Sequence, residues 1–546
     1  MNQTARLLLM EMLAGILSDN PDSNKYELQK LINQESKFYF STTDINNVLY
    51  GAPSIFVKND YTLPLWRLSG NYTKSESESV CFNNDKPNLL LYRGHAPRAW
   101  QTEAMLEWIN RGRRGVVEAV TGTGKTAVGI MAAADAVARG LSVVVLVPST
   151  ELLEQWHKTL KRDLPDLDIG KRCSGEKDTI YSHHIVVVTV QTAMNHNMLP
   201  DGVNGLLIAD EVHRYGSPDY SRSLLDNFRE RLGLTATFDR NDEGIEKILL
   251  PYFSSRLSGS SGVRNVIHGC GYARGRQEGI LAPFIVGLIS LELNPDDQEE
   301  YFFLDDSLRK KRRHLIEDYG CPAEPFGEFM LAVKKLKEGK NEDIYATKVA
   351  SQYLKHFRKR RDLLSDNSVK IQALERLVPL FFTTEKALIF TETKEASIQS
   401  AELLSQNNLE AFDYGSHLNK PERKERLVEF ANGNIKVLSA PKCLDEGIDV
   451  AEADLGVILS ASQTKRQMIQ RMGRIIRPKK DGRPAAFIIL YFRNTSEDPD
   501  FGAYEGFLSE MYDHAADVKE FPINSGELEI LVWYLGGLSK QAYNTE

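Results

Sequence analysis

The sequence has few cysteines, five among 546 residues, and no two of them form a C-x-x-C pair. This spacing disfavours a zinc ribbon, an iron–sulfur cluster or a disulfide framework and suits a reducing compartment. No apolar run reaches the roughly 18 residues that a membrane span requires. We therefore expect no membrane contact and a cytoplasmic location, with nucleoid association in a prokaryote.

An excess of positive charge is also missing, since 67 Lys and Arg face 75 Asp and Glu, a net charge of −8. Any binding to nucleic acid would need local basic patches, because phosphate contacts supply most of the affinity. Two basic runs are present, LRKKRRH at 308–314 and KHFRKRRD at 355–362. They predict either a track along a phosphate backbone or a solvated, salt-bridged helix face, and the sequence does not decide between these.

The length of the chain predicts several domains. Short β-branched runs alternate with helical patterns in two blocks, as is typical of parallel sheets covered by helices on both faces. The predicted fold class is α/β, with two parallel-sheet domains, and the predicted segments are an N-terminal domain at 1–85, a first α/β domain at 86–255, a charged helical insertion at 256–367, a second α/β domain at 368–495 and a C-terminal extension at 496–546.

The stretch EAVTGTGKTAVG at 118–129 has the composition of a phosphate-binding loop between a strand and a helix. Backbone N–H groups from Gly122 to Thr126 and the helix N-terminus would surround phosphate oxygens. Lys125 would reach the β- and γ-phosphates of ATP, and the Thr126 hydroxyl would ligate Mg²⁺. The residues predicted to bind nucleotide here are Thr121, Gly122, Thr123, Gly124, Lys125 and Thr126. The alternative is a Gly/Thr turn that caps an ordinary helix.

A second motif, which is acidic, lies 85 residues after Lys125. There the apolar strand GLLIAD ends in Asp210, and Glu211 follows it. The carboxyl ends of parallel strands share one edge of a sheet, so these carboxylates are expected beside the phosphate loop. Asp210 is predicted to hold the Mg²⁺ shell, largely through water. Glu211 is predicted to orient or deprotonate the attacking water.

Several segments in order along the chain resemble the motifs of superfamily 2 helicases and translocases of the DExH group. DEVH at 210–213 and LGLTATFDR at 232–240 resemble motifs II and III, and this family commonly has alanine where Ala119 stands. The other matching segments are HAPRAWQTEA (95–104, adenine recognition), VLVPSTELLEQW (145–156, motif Ia), TVQTA (189–193), ALIFTET (387–393, motif IV), VLSAPKCLDEGIDVAEAD (437–454, motif V) and QMIQRMGRIIRPK (467–479, motif VI).

The resemblance covers roughly residues 90–495 and implies two RecA-like domains that close on ATP. It implies that Arg474 and Arg477 cross the cleft to stabilise the transferring phosphoryl group, with Gln470 and His213 as sensors of closure. It assigns adenine contacts to Arg98 and Gln101, a ribose contact to Asp449 and coupling to Thr235 and Thr237. The nucleic-acid contacts it implies are Pro148, Ser149, Thr150, Gln191, Thr192 and Thr391.

The chain looks most like the XPB-like branch of this superfamily, from RLGLTATFDR (231–240), EGILAPF (278–284) and the helical insertion that follows. Members of that branch act mainly on duplex or branched DNA, so we expect nucleic acid as partner, with DNA favoured over RNA. Three alternatives stay open: an RNA helicase, a motor subunit of a restriction or defence complex, and a non-unwinding ATP switch. Because no nuclease motif is evident, cutting would need a nuclease or repair or defence protein as a separate partner.

The N-terminal segment 41–70 predicts helix, strand, turn and strand, as at the end of a winged helix. It resembles Z-alpha domains through Asn46, Tyr50, Pro64 and Trp66, with Leu63 and Thr42 as departures from their pattern. These departures favour a general winged helix for duplex binding or protein docking over recognition of Z-form nucleic acid. A structural core role for Tyr50 and Trp66 is the alternative.

Overall fold

The computed structural model describes residues 9–10, 12–14, 16–18, 20–35, 42–51, 56–58, 65–68, 87–200, 202–240, 242–254, 266–338, 343–441, 453–460, 473, 475–476, 479, 484–501, 503, 508, 512–522 and 525–542. The chain divides into two compact units. The first comprises residues 1–86 with 256–264, and the second comprises residues 87–255 with 265–546.

The first unit combines helices with a small antiparallel sheet in the order β1-β3-β2. Its elements are β1 (Ser23–Asn24), α1 (Lys25–Glu35), α2 (Thr42–Gly51), β2 (Phe56–Lys58) and β3 (Leu65–Leu68). Leu28, Ile45 and Trp66 lie in its apolar core, and Trp66 is only 3% exposed. This burial favours the core role for Trp66. The winged-helix assignment stays a prediction, because Pro64 and the side chain of Tyr50 lie outside the described residues.

The second unit begins with a sheet that is parallel apart from the terminal β6–β7 pair, in the order β11-β4-β10-β9-β5-β8-β6-β7 within the described residues. Its strands are β4 (Arg114–Glu118), β5 (Ser142–Val147), β6 (Ile169–Cys173), β7 (Glu176–Lys177), β8 (Ile185–Thr189), β9 (Gly205–Asp210), β10 (Glu230–Thr235) and β11 (Val266–His268). Neighbouring residues such as Val116 and Val117 belong to different apolar clusters. Both faces of the sheet are therefore covered, as the continuous apolar strands predicted.

The helices around this sheet include the two that begin at the motif loops. They are α3 (Ala99–Asn110), α4 (Lys125–Ala138), α5 (Thr150–Asp163), α6 (Val190–Ala193), α7 (Leu250–Phe253) and α8 (Tyr272–Gln277). Single 3₁₀ turns at Val212–Gly216 and Tyr220–Ser223 and a π-helical turn at Ile245–Leu249 complete this half. Because α4 follows β4 and α5 follows β5, their N-termini lie at the carboxyl edge of the sheet.

A second sheet of the same unit is wholly parallel in the described residues, in the order β14-β15-β13-β16-β17-β12-β18. Its strands are β12 (Phe284–Leu291), β13 (Ala387–Thr391), β14 (Ala411–Asp413), β15 (Val437–Pro441), β16 (Leu455–Ile458), β17 (Ala485–Phe492) and β18 (Asp517–Phe521). The predicted α/β class with two parallel-sheet domains is confirmed. Strand β12 falls within 256–367, the segment predicted as an insertion, and pairs over its whole length with β17.

Three helices between β12 and β13 pack around a separate apolar cluster. They are α9 (Pro295–Glu317), α10 (Phe326–Lys337) and α11 (Ile344–Ser365). Leu308, Phe329 and Tyr353 contribute one residue from each helix to this cluster. Asn294 caps α9 and Asp343 caps α11 by accepting backbone N–H groups. The helical part of the insertion therefore has a core of its own.

The remaining helices lie around the second sheet. They are α12 (Ser368–Arg376), α13 (Val378–Thr383), α14 (Lys394–Gln406), α15 (Lys420–Asn432) and α16 (Glu527–Ala542), with a 3₁₀ turn at Pro499–Phe501. Apolar residues of the sheet again divide between two clusters, with Leu388 in one and Ile389 in the other. In the part of the chain that is described, no helix combines the length and apolarity needed to cross a membrane.

Candidate active site

The loop between β4 and α4 has the backbone of a phosphate-binding turn. Gly122 and Gly124 adopt φ angles of 88° and 94°, a region that favours glycine. Gly124 is the residue that precedes α4, and no side chain accepts a hydrogen bond from the first amides of that helix. The first N–H groups of a helix lack intrahelical partners, so this N-terminus suits an anion.

Lys125 bends back onto the loop that it is predicted to serve. Its Nζ donates to the carbonyl oxygen of Ala119 at 2.8 Å, so the alanine of the motif supplies a backbone acceptor. Burial lowers the pKa of the Lys125 ammonium, and nearby carboxylates oppose that shift in the order Glu211, Asp210 and Glu118. The structure therefore brings the lysine of the loop and the acidic pair of β9 into one cleft.

The predicted adenine-contacting residues touch the same loop from α3. Arg98 Nη1 donates to the carbonyl oxygen of Thr123 at 2.8 Å, and Gln101 Nε2 donates to that of Gly124 at 3.0 Å. Gln101 is oriented in turn, because its Oε1 accepts the backbone N–H of Arg98 at 2.8 Å. Both side chains thus lie against the predicted nucleotide site.

The predicted threonines of the loop have different surroundings. Thr123 is buried and its hydroxyl donates to the carbonyl oxygen of Val120 at 2.7 Å, so its side chain stabilises the turn. Thr126 is half-buried in the first turn of α4, and Thr121 is half-buried at the tip of the loop. The Mg²⁺ ligand role of Thr126 stays a prediction.

The acidic pair ends β9 in a strained conformation. Asp210 is buried, its Oδ1 accepts the backbone N–H of Glu211 at 3.0 Å, and its Oδ2 accepts the indole N–H of Trp156 at 2.7 Å. Burial raises the pKa of the Asp210 carboxyl. Glu211 adopts φ 51°, a left-handed conformation that non-glycine residues rarely hold without a functional or structural reason. The strand thus turns sharply at the predicted catalytic residue.

The predicted coupling residues form a chain of hydrogen bonds. The Thr235 hydroxyl donates to the carbonyl oxygen of Thr237 at 2.7 Å, so its oxygen accepts from His213 Nδ1 at 3.0 Å. This assigns the Nδ1 proton to His213, whose Nδ1 also lies 3.5 Å from Glu211 Oε2. Motif III is thereby joined to motif II. The coupling role itself stays a prediction.

Glu118 is a further residue of this region that the sequence did not single out. Its Oε1 accepts the backbone N–H of Phe238 at 2.7 Å, and its Oε2 lies 3.1 Å from Nδ1 of His268. The carboxylate therefore ties the strand before the phosphate loop to the segment after β10. The position of Glu118 directly before the phosphate loop is a signal in the sequence that it lies near the site. The sequence does not show that its partners are Phe238 and His268.

The second sheet approaches the phosphate loop through the segment that resembles motif VI. A Cβ atom built on Gly473 would lie 2.2 Å from Cβ of Thr121. Close by, the backbone N–H of Ala282 donates to the carbonyl oxygen of Ile476 at 2.7 Å. The predicted residues Asp449, Gln470, Arg474 and Arg477 lie outside the described residues, so their roles stay predictions.

The predicted nucleic-acid contacts of the first sheet lie at its carboxyl edge. Ser149 caps α5 by accepting the N–H of Leu152, Pro148 is buried and Thr150 is exposed. Gln191 in α6 is exposed, and its Nε2 lies 3.5 Å from the carbonyl oxygen of Pro148, so the two segments are neighbours. Thr192 is half-buried. In the first unit Asn46 is half-buried and Trp66 is buried, and the side chain of Tyr50 lies outside the described residues.

Thr391 in the second sheet is fully buried, and its hydroxyl donates to the carbonyl oxygen of Thr393 at 3.0 Å. That hydrogen bond organises the loop after β13 and leaves Thr393 as the cap of α14. A contact between Thr391 and nucleic acid stays a prediction, and the geometry assigns its side chain to the loop.

The basic runs of the insertion are largely paired with acidic residues. Arg309 lies 2.9 Å from Asp305 and Lys310 lies 2.7 Å from Asp306, both at a spacing of four residues. Further pairs join Arg312 to Glu324, Lys359 to Glu300, Arg360 to Asp305 and Arg361 to Asp362. This arrangement corresponds to the salt-bridged helix face, one of the two alternatives that the sequence left open.

Two family models match the halves of this site. Residues 94–240 match the type III restriction enzyme, res subunit, and residues 369–479 match the helicase conserved C-terminal domain. The first match contains the phosphate loop, the acidic pair and motif III. The second contains strands β13 to β16 and ends at motif VI.

Two curated relatives are similar over most of the chain. The DNA 3′-5′ translocase XPB2 of Sulfurisphaera tokodaii is 27% identical over 401 residues, which is 73% of this chain and 82% of that protein. The DNA 3′-5′ helicase XPB of Kineococcus radiotolerans is 27% identical over 436 residues, 77% of this chain and 64% of that protein. Several other relatives are longer, and the match spans only 52% to 61% of them.

A solved structure with a similar fold is a variant of S. cerevisiae Dbp5 bound to RNA and ADP BeF3. It superposes with a TM-score of 0.52 at 14% identity, covering 82% of this chain and 94% of that chain. At this identity the likeness shows the fold alone. The two parallel-sheet domains are RecA-like.

The fold, the phosphate loop and the DExH motif thus define a helicase-type ATPase of superfamily 2 with two RecA-like domains. The chain is similar over most of its length, at 27% identity, to relatives that are named for the XPB-like branch of that superfamily. A Z-alpha-like domain at its N-terminus stays a prediction.

Proposed function

We propose that this protein is an ATP-dependent DNA helicase or translocase that couples hydrolysis to movement on, or remodelling of, duplex or branched DNA. The observation that carries the proposal is the convergence of Lys125, Asp210 and Glu211 in one cleft, with Gly473 of the second RecA-like domain against the loop. Closure of the two domains around ATP therefore changes the contact between them.

The described residues can hold ATP in one orientation. In this proposal Arg98 and Gln101, which contact the loop carbonyls of Thr123 and Gly124, recognise the adenine. The N-terminal amides of α4 donate hydrogen bonds to phosphate oxygens, and Lys125 exchanges its Ala119 carbonyl for the β- and γ-phosphates. The motif residues Asp449, Arg474 and Arg477 would complete this set from the second domain.

The donor set of the site fits Mg²⁺. Thr126 offers a hydroxyl oxygen at the start of α4, and the buried carboxylate of Asp210 is held at both oxygens beside the Lys125 cation. Hydroxyl, carboxylate and phosphate oxygens are the ligands that this ion prefers. When bound, the ion would neutralise charge on the phosphates. Glu211 orients the water that attacks the γ-phosphorus, and ADP leaves in line with it.

DNA is the proposed substrate because the curated relatives are named DNA 3′-5′ translocases or helicases. The same names support movement in the 3′ to 5′ direction. On the first RecA-like domain the proposed track passes Ser149, Thr150 and Gln191, at the carboxyl edge beside the ATP site. Neighbouring loops thus serve nucleotide and nucleic acid.

The test is ATP hydrolysis with duplex DNA, single-stranded DNA and RNA, alongside the variant Lys125→Ala. We expect DNA to stimulate hydrolysis more than RNA, and Lys125→Ala to abolish the stimulated rate. Hydrolysis that is indifferent to all three nucleic acids would overturn the proposal. Strand displacement on forked DNA then separates unwinding from translocation alone.

A second candidate function is the motor subunit of a restriction or defence complex that acts with a separate nuclease. The observation that favours it is the match of residues 94–240 to the res subunit of type III restriction enzymes. Both candidates require DNA-stimulated hydrolysis. They differ in whether a nuclease co-purifies with the tagged chain and cleaves DNA only while ATP is hydrolysed.

A further inference from the structure

Trp156 makes a direct contact with the acidic pair that neither the motifs nor the relatives assign. Its indole Nε1 donates to Oδ2 of Asp210 at 2.7 Å, across 54 residues of sequence, and the ring is 1% exposed. The other oxygen of Asp210 accepts the N–H of Glu211. An indole N–H in the core needs an acceptor, and here it takes the carboxylate proposed for the Mg²⁺ shell.

The same ring packs against the helix that begins at the phosphate loop. A Cβ atom built on Gly129, in the second turn of α4, would lie 2.7 Å from Cη2 of Trp156. Only glycine therefore lets the indole approach α4 this closely. Trp156 therefore contacts both α4 and the end of β9, the two elements that carry Lys125 and Asp210.

Trp156 itself lies on helix α5, which begins at the proposed DNA track. This helix is capped by Ser149 and begins at Thr150. The first two turns of this helix, whose buried face carries Leu152, Leu153 and Trp156, connect the track to the indole. A displacement of the loop at 148–150 therefore moves the indole N–H relative to Asp210.

We propose that Trp156 is a positioning residue, which couples the DNA-contacting loop at 148–150 to the Asp210 carboxylate of the metal shell. The inference rests on the proposed function, since it assigns a link between the two ligands of that function. Partners that hydrogen-bond a metal-ligating group typically change metal affinity or activity about 10- to 100-fold when removed.

The test compares Trp156→Phe with Trp108→Phe. Both substitutions keep an aromatic ring in the core of the same domain and remove one indole hydrogen bond. The bond of Trp108 runs to the backbone carbonyl of Arg231 at 3.1 Å, away from the acidic pair. Trp108→Phe therefore controls for the stability lost with a buried hydrogen bond.

Two measurements are made on the full chain. Mn²⁺ binding in the presence of ADP is followed by the electron paramagnetic resonance of the free ion, and DNA-stimulated ATP hydrolysis is titrated with Mg²⁺. For Trp156→Phe we expect about 10-fold weaker Mn²⁺ binding and a matching rise in the Mg²⁺ requirement. The stimulation of ATP hydrolysis by DNA should also be smaller in Trp156→Phe than in the wild-type protein. Trp108→Phe should stay within about twofold of wild type in both.

The outcomes separate the two proposals. If Trp156→Phe and Trp108→Phe bind Mn²⁺ equally well, and DNA stimulates hydrolysis by the wild-type protein, the positioning role is overturned and the proposed function is not. A wild-type protein without DNA stimulation would overturn the proposed function. Should Trp156→Phe not fold, Gly129→Ala displaces the ring from α4 and is expected to weaken Mn²⁺ binding in the same direction. Unchanged binding in that variant would also overturn the role.

Discussion

Gly473 of the second RecA-like domain lies against Thr121 of the phosphate loop, so closely that a Cβ atom at position 473 would be 2.2 Å from Thr121 Cβ. No real Cβ contact is that short, and the Cβ of Thr121 cannot swing away as a flexible side-chain end would. The segment that resembles motif VI therefore reaches the ATP loop through a residue without a side chain. This contact makes the loop sensitive to how the domains close.

Substitution Gly473→Ala is expected to push the two domains apart at the loop. Misplacement of catalytic groups by about 1 Å can cost on the order of 100-fold in rate, so the DNA-stimulated turnover should fall by about 10- to 100-fold. ATP binding should weaken less, because α4 and its amides belong to the first domain alone. The control is Gly526→Ala, where a Cβ atom meets no neighbour within 4 Å. Equal turnover of both variants would contradict the close approach.

Glu211→Gln should separate ATP binding from hydrolysis. The side chain keeps its shape, but the amide cannot take a proton from water, and loss of a general base typically costs about 10²- to 10⁴-fold. Nucleotide affinity should remain near that of wild type, because Lys125 and the α4 amides are untouched. Single-turnover hydrolysis and fluorescent-nucleotide binding measure the two quantities. Glu299→Gln, at an exposed position of α9, is the matched control.

Thr235→Val should weaken the link between motif III and motif II. The substitution removes the hydroxyl that accepts from His213 and donates to Thr237, at nearly constant volume. A buried polar group left without its partner costs about 1–3 kcal/mol, so His213 should lose its fixed orientation. We expect a smaller ratio of DNA-stimulated to basal hydrolysis. Thr384→Val removes a comparable buried hydroxyl, whose partner is the Phe381 carbonyl, and should leave the ratio unchanged.

The nucleotide half of the site could be read from the sequence because its residues lie in short segments with fixed roles. Lys125 and Asp210 meet there because strands of a parallel sheet end at one edge, which follows from the fold class. The indole of Trp156 on Asp210 could not be predicted in this way, since nothing local to the stretch LLEQW indicates which distant carboxylate its N–H reaches. For the same reason the contact from Glu118 to Phe238 was missed.

The fold, like the site, could be predicted only in part from the sequence. Apolar runs predicted two parallel sheets, but the pairing of β12 with β17 joins segments about 200 residues apart. A run such as FIVGLISL at 284–291 is equally compatible with the end of one domain and the start of another. Register and strand order depend on the packing of the whole sheet, and a single apolar run does not contain that information.

The pairing of Arg309 and Lys310 with aspartates predicts a small role for these two charges in binding DNA. Each of these two cations has a carboxylate four residues away that already neutralises it in part, so few counterions would be released from phosphates by this pair. We expect Arg309→Ala with Lys310→Ala to leave the dependence of DNA affinity on salt unchanged. If both residues contacted phosphates, the logarithmic slope would fall by about 2. Fluorescence anisotropy over a range of salt concentrations decides between these outcomes.

A buried ion pair joins α12 to the loop after β17. Lys370 Nζ lies 2.8 and 2.7 Å from the two carboxylate oxygens of Glu497, and both side chains are buried. Burial lowers the pKa of Lys370 and raises the pKa of Glu497, so each charge is tolerated only because of the other. Removing one partner of such a pair typically costs about 3–5 kcal/mol.

Lys370→Met should therefore lower the thermal unfolding midpoint strongly, whereas Lys370→Met with Glu497→Leu should recover most of the loss, because no buried charge remains. The single variant should also depend on pH. With its folded pKa raised, Glu497 disfavours folding once its carboxyl must ionise, so stability should fall as the pH rises above the unfolded value of about 4.3. The double variant should lack this dependence, and the exposed control Lys247→Met should change little. A single variant that is equally stable at pH 5 and pH 8 would contradict the assignment of a stranded Glu497 charge.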